Sequence, residues 1–362
     1  MKIIFLVRSV GRYFSATTSV LLRHAYYLKK KGYEVDVIVP ADRGDMFKKE
    51  SFFKKPNFSY KFRKLYNLIK GGKVRLNCEW MEVKDFDVPI IEVPDLSEKN
   101  IPKADIIIAG SSWMLEILKN YSEKVKKFYL IQAYELDIKE NIRRYKLPVK
   151  KIAVSTYLKN RIKKIFKDEE IYVVNNGVDV NFFTPKGRKY NLPPKKIGMV
   201  YYYKAPYRTK AVSDGIKAFE LVKKKFPFVE LVMFGTKRDK GVPDYAEFYE
   251  KPSRKKIAEI YRMCDIFISP SREEACQLPP MEAMSSGCAL VATNVGGVPD
   301  YTIPGKTALV CSPGKIKEFA KNIELLIENP EFFRKIASEG RRYIENFSWD
   351  KVSAKFEKIL IS

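Results

Sequence analysis

Residues 265–287 constrain the fold of this chain most, because they predict a buried strand, an acidic loop and a short helix in direct succession. The apolar run 265–269 has the length and the β-branched content of a strand inside a parallel sheet. Pro279 and Pro280 suit the first turn of a helix, where a backbone N–H has no helical partner, and Gly287 suits its end. The stretch therefore predicts an α/β domain in which a loop joins a central strand to a helix.

Two carboxylates lie in this stretch, Glu274 on the predicted loop and Glu282 in the predicted first turn of the helix. A helix N-terminus combines free N–H groups with the positive end of the helix dipole, and it therefore attracts anions. We therefore expect an anionic ligand at the N-terminus of this helix, with its hydroxyl groups bound by the two carboxylates. The alternative is that Glu282 is an ordinary acid at a helix N-terminus.

The same alternation of strands and helices extends over the rest of the chain. A strand at 2–7, a helix at 18–31 and a strand at 34–40 form a βαβ unit, which begins a parallel sheet. The other elements expected in the first half are strands at 104–110, 127–132, 151–154 and from 171, a helix near Trp113 capped by Ser111 or Ser112, and a helix from cap Ser155 to about Phe166.

After a polar, proline-bearing linker at 184–194, the second half repeats the pattern. Its expected elements are strands at 197–203, 229–235, 265–269 and 289–293, helices at 213–225 and 253–263, and two terminal helices. We therefore predict an α/β protein of two Rossmann-like, doubly wound domains that face a cleft, at 1–186 and 187–345.

Three loops of the second domain are expected at one sheet edge, because ligands of such sheets bind beyond the carboxyl ends of the strands. They are the basic loop 204–210, the acidic loop 270–282 and the turn Gly296-Gly297. Cations, a helix N-terminus and glycines that admit close backbone approach suit a diphosphate, while carboxylates suit the vicinal hydroxyls of ribose and hexose. The pattern favours a nucleotide-sugar site without a metal, since Lys and Arg neutralise the leaving diphosphate. In the first domain, Gly11 lies on the first strand-to-helix loop, at the corresponding edge.

Charge and cysteine content exclude several classes of protein. With 68 Lys and Arg against 43 Asp and Glu, the net charge of +25 attracts polyanions such as nucleotide diphosphates, anionic lipids or nucleic acid. Five cysteines without CxxC spacing indicate reduced thiols in a cytoplasmic protein rather than a disulfide framework. The single histidine, His24, excludes a His-rich metal site and is expected to be a packed or half-exposed helix residue. No apolar run reaches the ~18–20 residues of a membrane span, and the apolar N-terminal segment is too short for a signal peptide.

Residues 41–75 interrupt the alternation with a basic and aromatic insertion. The segment holds eleven Lys and Arg against three Asp and Glu, interleaved with seven Phe and Tyr. A peripheral membrane contact requires aromatic rings at the boundary of the lipid headgroups and cations that face anionic lipid. The other interpretation is a solvated surface insertion whose aromatic rings pack on the domain. Nucleic acid is not an expected partner, because the chain contains no nucleic-acid-binding motif.

The second half resembles the retaining GT-B glycosyltransferases of family 4, the glycosyl transferases group 1. The family's pattern of two acids eight positions apart, followed by Ala-Met and a small residue before Gly, is present from Glu274 to Gly287. The resemblance continues in 290–300 and 309–310, in Phe347-Ser-Trp349, and in 176–183 before the linker. It implies the GT-B fold, in which the last helix, here at 346–362, crosses back onto the first domain.

The resemblance also implies roles for matched residues. Glu282 would bind the donor ribose, and Glu274 would contact the donor hexose and stabilise positive charge near the anomeric carbon. Backbone N–H groups of Gln277 and Leu278 would approach sugar hydroxyls or phosphate, and residues 250–253 would line the base pocket. The predicted catalytic residues are Glu274, Lys210 and Arg208, and the predicted donor-binding residues are Glu282, Lys204, Gln277, Leu278, Gly296, Gly297 and Gly11. Lys210 matches the family's Lys, whereas the role of its Arg falls to either Lys204 or Arg208.

Two departures from the family pattern bear on the sugar. Ala275-Cys-Gln277 stands where the family often has Gly-Phe-Gly, so the sugar pocket is expected to differ. Gln132 stands where many members have a His, which resembles a subgroup that acts on rhamnose or similar deoxy sugars. Gln132 and Arg12 are assigned to the acceptor side, and without the His a hydrogen bond to the donor sugar falls to Gln132 or a neighbour.

These observations predict a retaining, metal-independent glycosyltransferase without a cofactor. It would move a hexose or deoxyhexose from a nucleoside-diphosphate sugar to a hydroxyl of a glycan or lipid-linked acceptor. The expected location is the cytoplasm, with residues 41–75 as the contact to an anionic membrane surface. The alternatives are a nucleotide-sugar epimerase of GT-B shape and a non-catalytic basic protein that binds a membrane or a polyanion.

Overall fold

The computed structural model of the protein describes residues 1–8, 16–40, 86–135, 139–203 and 207–362. The predicted insertion at 41–75, together with Gly11, Arg12 and Lys204, lies outside these residues. The chain divides into two compact units. Unit 1 comprises Met1–Ala153, Asp168–Tyr172 and Ser353–Ser362, and unit 2 comprises Val154–Lys167 and Val173–Val352.

Strands and helices alternate through both units, as the apolar pattern predicts. In chain order the strands are β1 (Lys2–Leu6), β2 (Glu34–Pro40), β3 (Ile90–Val93), β4 (Ile106–Ala109), β5 (Lys126–Ile131), β6 (Lys150–Ala153), β7 (Ile171–Val173), β8 (Lys196–Tyr201), β9 (Glu230–Gly235), β10 (Glu247–Glu250), β11 (Ile266–Ser269), β12 (Ala289–Thr293) and β13 (Leu309–Cys311). The α-helices are α1 (Ala16–Lys30), α2 (Leu115–Leu118), α3 (Lys139–Tyr145), α4 (Thr156–Lys163), α5 (Tyr207–Lys210), α6 (Val212–Lys225), α7 (Arg254–Met263), α8 (Leu278–Ser285), α9 (Val298–Tyr301), α10 (Ile316–Glu328), α11 (Pro330–Ile344) and α12 (Trp349–Ile361). Short 3-10 turns lie at Glu98–Asn100, Ser112–Met114 and Glu345–Phe347.

The sheet of unit 1 has, within the described residues, seven strands in the order β3-β2-β1-β4-β5-β6-β7. β1 pairs in parallel with β2 on one side and with β4 on the other, for example Ile3 with Val35 and with Ile106. Every residue of β4 is buried, as are residues 3–6 of β1, because helices cover both faces of a doubly wound sheet. The order reverses between β1 and β4, and this reversal is the switch point at which such sheets bind ligands.

The sheet of unit 2 repeats this topology, with the described strands in the order β10-β9-β8-β11-β12-β13. β8 pairs in parallel with β9 and β11, so the switch point lies between β8 and β11. The core beneath the sheet is apolar and includes Met199, Phe219, Ile268 and Ile323, each at most 1% exposed. The prediction of an α/β fold with two doubly wound sheets is confirmed.

The helix α8 forms where the prolines and the glycine place it. Pro279 and Pro280 lie in its first turn, and Gly287 follows its end with a φ of +85°, a conformation that glycine adopts without strain. The prediction that Glu282 lies in the first turn is wrong. The helix begins at Leu278, so the prolines fill the first turn and Glu282 falls in the second.

Several local predictions need correction. The side chain of Ser111 makes no capping hydrogen bond, and the Ser112 hydroxyl donates to Oδ1 of Asn141 instead of capping a helix. Three helices of at least 13 residues follow β13, where two were expected. The strands β3, β10 and β13 were not predicted, because each has only three or four residues and lacks a long apolar run.

The last helix, α12, begins in unit 2 and ends in unit 1. Its first residue, Trp349, packs on Gly177, where a Cβ atom would lie 2.6 Å from the indole ring. Further along, Phe356 stacks on the buried ring of His24 at a centroid distance of 4.2 Å. Within the described residues, no helix combines the length and the apolar character needed to cross a bilayer.

Candidate active site

The predicted catalytic and donor-binding residues of unit 2 lie around its switch point. Residues 207–210 follow β8, residues 270–277 follow β11, and Gly296-Gly297 follows β12, each at the carboxyl end of a parallel strand. Ligands of open parallel sheets bind at this edge. The arrangement of unit 2 alone therefore brings Lys210, Glu274 and Glu282 to the edge where a ligand is expected.

Glu282 is 5% exposed, and two side chains of α7 hold its carboxylate. Nη2 of Arg254 donates to its Oε1 at 2.8 Å, and the hydroxyl of Tyr261 donates to its Oε2 at 3.0 Å. Burial and the negative charge of Glu282 both raise the pKa of Tyr261 well above its usual value, so the phenol stays a donor. Each carboxylate oxygen keeps a second lone pair, so two hydroxyls of one ligand can each donate a hydrogen bond to the carboxylate.

Glu274 forms an ion pair with Lys210, whose Nζ lies 2.5 Å from Oε1. The same oxygen accepts a hydrogen bond from the Ser271 hydroxyl at 3.1 Å. Nζ of Lys210 also lies 4.5 Å from the ring centre of Tyr202, whose pKa is raised by burial and by the nearby carboxylates. Because an ammonium group has three donors, Lys210 can hold Glu274 and an anionic ligand together.

A second ion pair fixes the backbone beside Lys210. Nε and Nη2 of Arg272 donate to the buried Oδ2 of Asp214 in α6, at 2.9 and 2.8 Å. The backbone N–H of Arg272 donates to the carbonyl of Thr209 at 2.7 Å, which ties the loop after β11 to α5. Ala211, directly after Lys210, has a φ of 44°, a left-handed conformation that costs an alanine energy. The position of Lys210 is therefore imposed by its surroundings.

The two glycines after β12 lie against the acidic loop. A Cβ atom at Gly296 would lie 2.2 Å from the carbonyl oxygen of Glu274, and one at Gly297 would lie 3.1 Å from Sγ of Cys276. Gly296 has a φ of +54°. The glycines were expected to let a ligand come close to the backbone, but in the structure the protein's own segment 274–276 packs against them. Their donor-binding role stays a prediction.

Gln277 precedes α8 and is 6% exposed. Its Oε1 accepts a hydrogen bond from the Ser269 hydroxyl at 2.7 Å, and its Nε2 has no hydrogen-bond partner. Among the first four residues of α8, only Leu278 and Met281 carry a backbone N–H, because the other two are prolines. The N–H of Met281 is the first that can bond to a carbonyl four residues earlier, so anion binding at this helix N-terminus would rest on the N–H groups of Gln277 and Leu278.

The remaining predicted residues are not brought to this edge by anything that the structure describes. Gln132 follows β5 in unit 1, where its Nε2 donates to the carbonyl of Thr17 at 3.0 Å. Arg208 belongs to α5, but its side chain lies outside the described part of the chain, as do Lys204, Gly11 and Arg12 entirely. Their roles stay predictions.

Sequence reasoning missed the partners of the two acids, Arg254, Tyr261 and Tyr202. Arg254 follows the predicted base-pocket segment 250–253 by one position, but a basic residue in so basic a chain carries no distinguishing signal. Tyr261 lies on the buried face of α7 and reads as a core residue from its helical spacing. Within the ranges that the structure covers, no group of three or more His, Cys, Asp or Glu could hold a metal ion. The absence of a metal requirement stays a prediction.

Comparison with known families gives two matches along the sequence. The family described as "Glycosyl transferases group 1" matches residues 184–343. The family described as "B3 domain-containing protein At2g31720-like" matches residues 109–215. This second range starts at the end of β4 and stops inside α6, so it cuts through both sheets and corresponds to no unit of the fold.

Curated relatives are about a quarter identical to this chain over the aligned segments. An uncharacterised glycosyltransferase of Methanocaldococcus jannaschii is 26% identical over 218 residues, which are 58% of each chain. The MMP alpha-(1->4)-mannosyltransferase of Mycolicibacterium hassiacum is 26% identical over 199 residues, which are 52% of this chain and 47% of the relative. The chain therefore spans about half the length of the curated relatives it matches.

Solved structures resemble the chain over its whole length. HepE of Anabaena in complex with UDP superposes with a TM-score of 0.71 at 17% identity and full coverage of both chains. Sucrose-phosphate synthase of Thermosynechococcus elongatus superposes with a TM-score of 0.70 at 14% identity, covering 99% and 98% of the two chains. At these identities the likeness establishes the fold. Residues 184–343 therefore form a domain of the glycosyl transferases group 1 family, in a chain that has the GT-B fold.

Proposed function

We propose that the chain is a retaining glycosyltransferase that works without a metal. It moves a hexose or deoxyhexose from a nucleoside-diphosphate sugar to a hydroxyl of a glycan or lipid-linked acceptor. The observation that carries the proposal is the placement of Glu274, Glu282 and Lys210 together at the switch point of unit 2. The family domain at 184–343 and the names of the relatives support the same reaction class. The UDP bound in the structure of HepE supports a nucleotide donor.

Glu282 binds the ribose in this proposal. Its two oxygens are spaced to accept the 2′- and 3′-hydroxyls, and Arg254 and Tyr261 fix the plane of the carboxylate before the ligand arrives. Preorganisation of this kind saves the ordering of a flexible side chain on binding. The positive charge of Arg254 also offsets the cost of burying the Glu282 side chain, with which it forms an ion pair.

Lys210 stabilises the leaving diphosphate. Negative charge accumulates on the phosphate oxygen as its bond to the anomeric carbon breaks, and a cation already held in place stabilises this charge without reorganising. The ion pair to Glu274, the ring of Tyr202 and the tied loop hold the ammonium group in position. In this proposal the negative charge of Glu274 stabilises the positive charge that develops near the anomeric carbon.

The acceptor hydroxyl attacks the anomeric carbon on the face from which the diphosphate departs. The new carbon–oxygen bond forms on the side where the old one breaks, so the configuration is retained. The departing phosphate oxygen takes the proton of the acceptor hydroxyl, which balances the charge of the reaction. No side chain needs to act as a general base, and no metal is needed where Lys210 neutralises the leaving group.

The test is to incubate the protein with nucleotide sugars of the four bases uracil, guanine, adenine and thymine, with EDTA, and to measure release of the nucleoside diphosphate. Release that depends on a glycan or glycolipid acceptor is expected, and proton NMR of the product should show the anomeric configuration of the donor. An inverted anomer would contradict retention. Loss of turnover in EDTA that added Mg²⁺ or Mn²⁺ restores would contradict metal independence.

The proposed location is the cytoplasmic face of an anionic membrane. Its support is the composition of residues 41–75, with eleven cations and three anions, and the net charge of the chain. A lipid-linked acceptor would lie at such a surface.

A further inference from the structure

The side chain of Gln277 has one polar group that the protein leaves without a partner. The residue is 6% exposed, and its amide is anchored at one end by the Ser269 hydroxyl, which donates to Oε1 at 2.7 Å. The other end, Nε2, is buried and makes no hydrogen bond. Rotation of the amide by 180° exchanges the two atoms but still leaves one of them unpaired. Since a buried amide atom without a partner is costly, the site is built for a further group.

A small cavity adjoins this amide at the switch point. Its volume of about 10 Å³ accommodates a single water-sized group. Its lining combines apolar strand residues with the side chains of Tyr202, Lys210, Ser269, Ser271, Gln277 and Pro279. The proposed phosphate-binding Lys210 therefore borders the same cavity as the unpaired amide.

We propose that the side-chain amide of Gln277 binds one hydroxyl group of the transferred sugar and thereby selects the donor. The inference rests on the proposed function of the site. A hydroxyl both donates and accepts, so it satisfies whichever amide atom faces it, whereas a phosphate oxygen, which only accepts, satisfies Nε2 alone. The volume of the cavity, about 10 Å³, also fits one hydroxyl. Ser269 fixes the amide, so the contact discriminates between sugars that differ at this one hydroxyl.

The experiment compares a nucleoside diphosphate with the matching nucleotide sugar by isothermal titration calorimetry. The probes are UDP, GDP, ADP and dTDP, followed by UDP-glucose, GDP-mannose, ADP-glucose or dTDP-rhamnose for the base that binds. The variant Gln277→Met keeps the volume of the side chain and removes both polar atoms. Ser286→Ala is the matched control, because the Ser286 hydroxyl is also buried without a partner, at the end of the same helix.

We expect Gln277→Met to weaken binding of the nucleotide sugar about 10-fold, while the affinity for the nucleoside diphosphate stays within about 2-fold. Ser286→Ala should change neither affinity. Gln277→Ala is the second variant, and it replaces Gln277→Met if thermal unfolding shows that the methionine is not accommodated. Removal of the contacted hydroxyl from the sugar should weaken binding to the wild type and have no further effect in the variant.

Three results overturn the inference. Unchanged affinity for the nucleotide sugar in the variant would mean that the amide holds a buried water only. An equal loss for the nucleoside diphosphate would place the contact on the nucleotide part. If the wild type binds none of the four nucleoside diphosphates, the proposed function fails and this inference fails with it, an outcome distinct from the first two.

Discussion

Acid should destabilise unit 1 through one imidazole, that of His24. The ring is 1% exposed, it stacks on Phe356, and its Nδ1 lies 3.1 Å from Oγ of Ser353 in the last helix. Burial lowers the pKa of His24 from 6.5 to about 3, because the charged ring would lose its hydration in the core. The folded protein therefore keeps this ring neutral at pH values where the unfolded chain protonates it.

The sign and the size of the change in stability with pH follow from the difference between the folded and unfolded pKa values of His24. The folded pKa lies below the unfolded one, so stability is lost as the pH falls from about 6.5 toward about 3. Between pH 7 and pH 5, protonation of the unfolded state alone removes about 2 kcal/mol of unfolding free energy. Carboxyl groups contribute little in this window, since their unfolded pKa values lie near 4.

The assay is urea denaturation at pH 7 and pH 5 for the wild type and for His24→Leu, which has no titrating group at this position. The wild type should lose about 2 kcal/mol more than the variant between the two values. His24 is the only histidine of the chain, so its ring signals in NMR are unambiguous and should show the neutral form down to about pH 4.5. Equal pH dependence in the two proteins, or a ring that titrates near pH 6.5 in the folded state, would refute the reasoning.

Three further predictions concern stability and location. Asp265 is fully buried and accepts hydrogen bonds from the backbone N–H groups of Asn191, Lys195 and Lys196. Asp265→Ala should therefore lower the free energy of unfolding by about 3–5 kcal/mol in chemical denaturation. The control Asp244→Ala, at an exposed position, should change it by less than about 0.5 kcal/mol. Ala211→Gly should leave the free energy of unfolding unchanged or raise it, because glycine removes the strain of the left-handed conformation. Ala218→Gly, inside α6, should lower it by about 1 kcal/mol. An equal loss at both positions would rule out strain at Ala211. The full chain should sediment with phosphatidylserine vesicles and not with phosphatidylcholine vesicles, and deletion of residues 44–73 should abolish the binding; sedimentation that survives the deletion would place the contact elsewhere.

Sequence patterns predicted the sheets well because buried parallel strands are continuous apolar runs. β12 was predicted with the bounds it has, 289–293, since it is short, wholly apolar up to its last residue, and flanked by turn signals. Pro279, Pro280 and Gly287 predicted the extent of α8 because proline and glycine act through their own backbone geometry. Features of this kind are encoded locally, and a single sequence reveals them.

Other features depend on residues far apart in the chain. Glu282 was identified, but its partners Arg254 and Tyr261 lie 28 and 21 positions away, and only packing of α7 against α8 brings them to it. The glycines at 296 and 297 were assigned to ligand approach, whereas the structure places the segment 274–276 against them. The unpaired amide nitrogen of Gln277 could not be predicted from the sequence either, because burial and the lack of a partner are properties of the folded state.

The central claim is that Lys210 and Glu282 form a nucleotide-sugar site, and nucleoside diphosphate release by three variants tests it most directly. Lys210→Ala removes the cation at the leaving group, and Glu282→Gln keeps the packing and the bond from Tyr261 but removes the charge. Glu273→Gln is the matched control, since Glu273 adjoins Glu274 and pairs with Arg161 instead. We predict that Lys210→Ala and Glu282→Gln remain folded and lose turnover by at least about 100-fold, while Glu273→Gln keeps it. Turnover retained by both site variants would contradict the assignment.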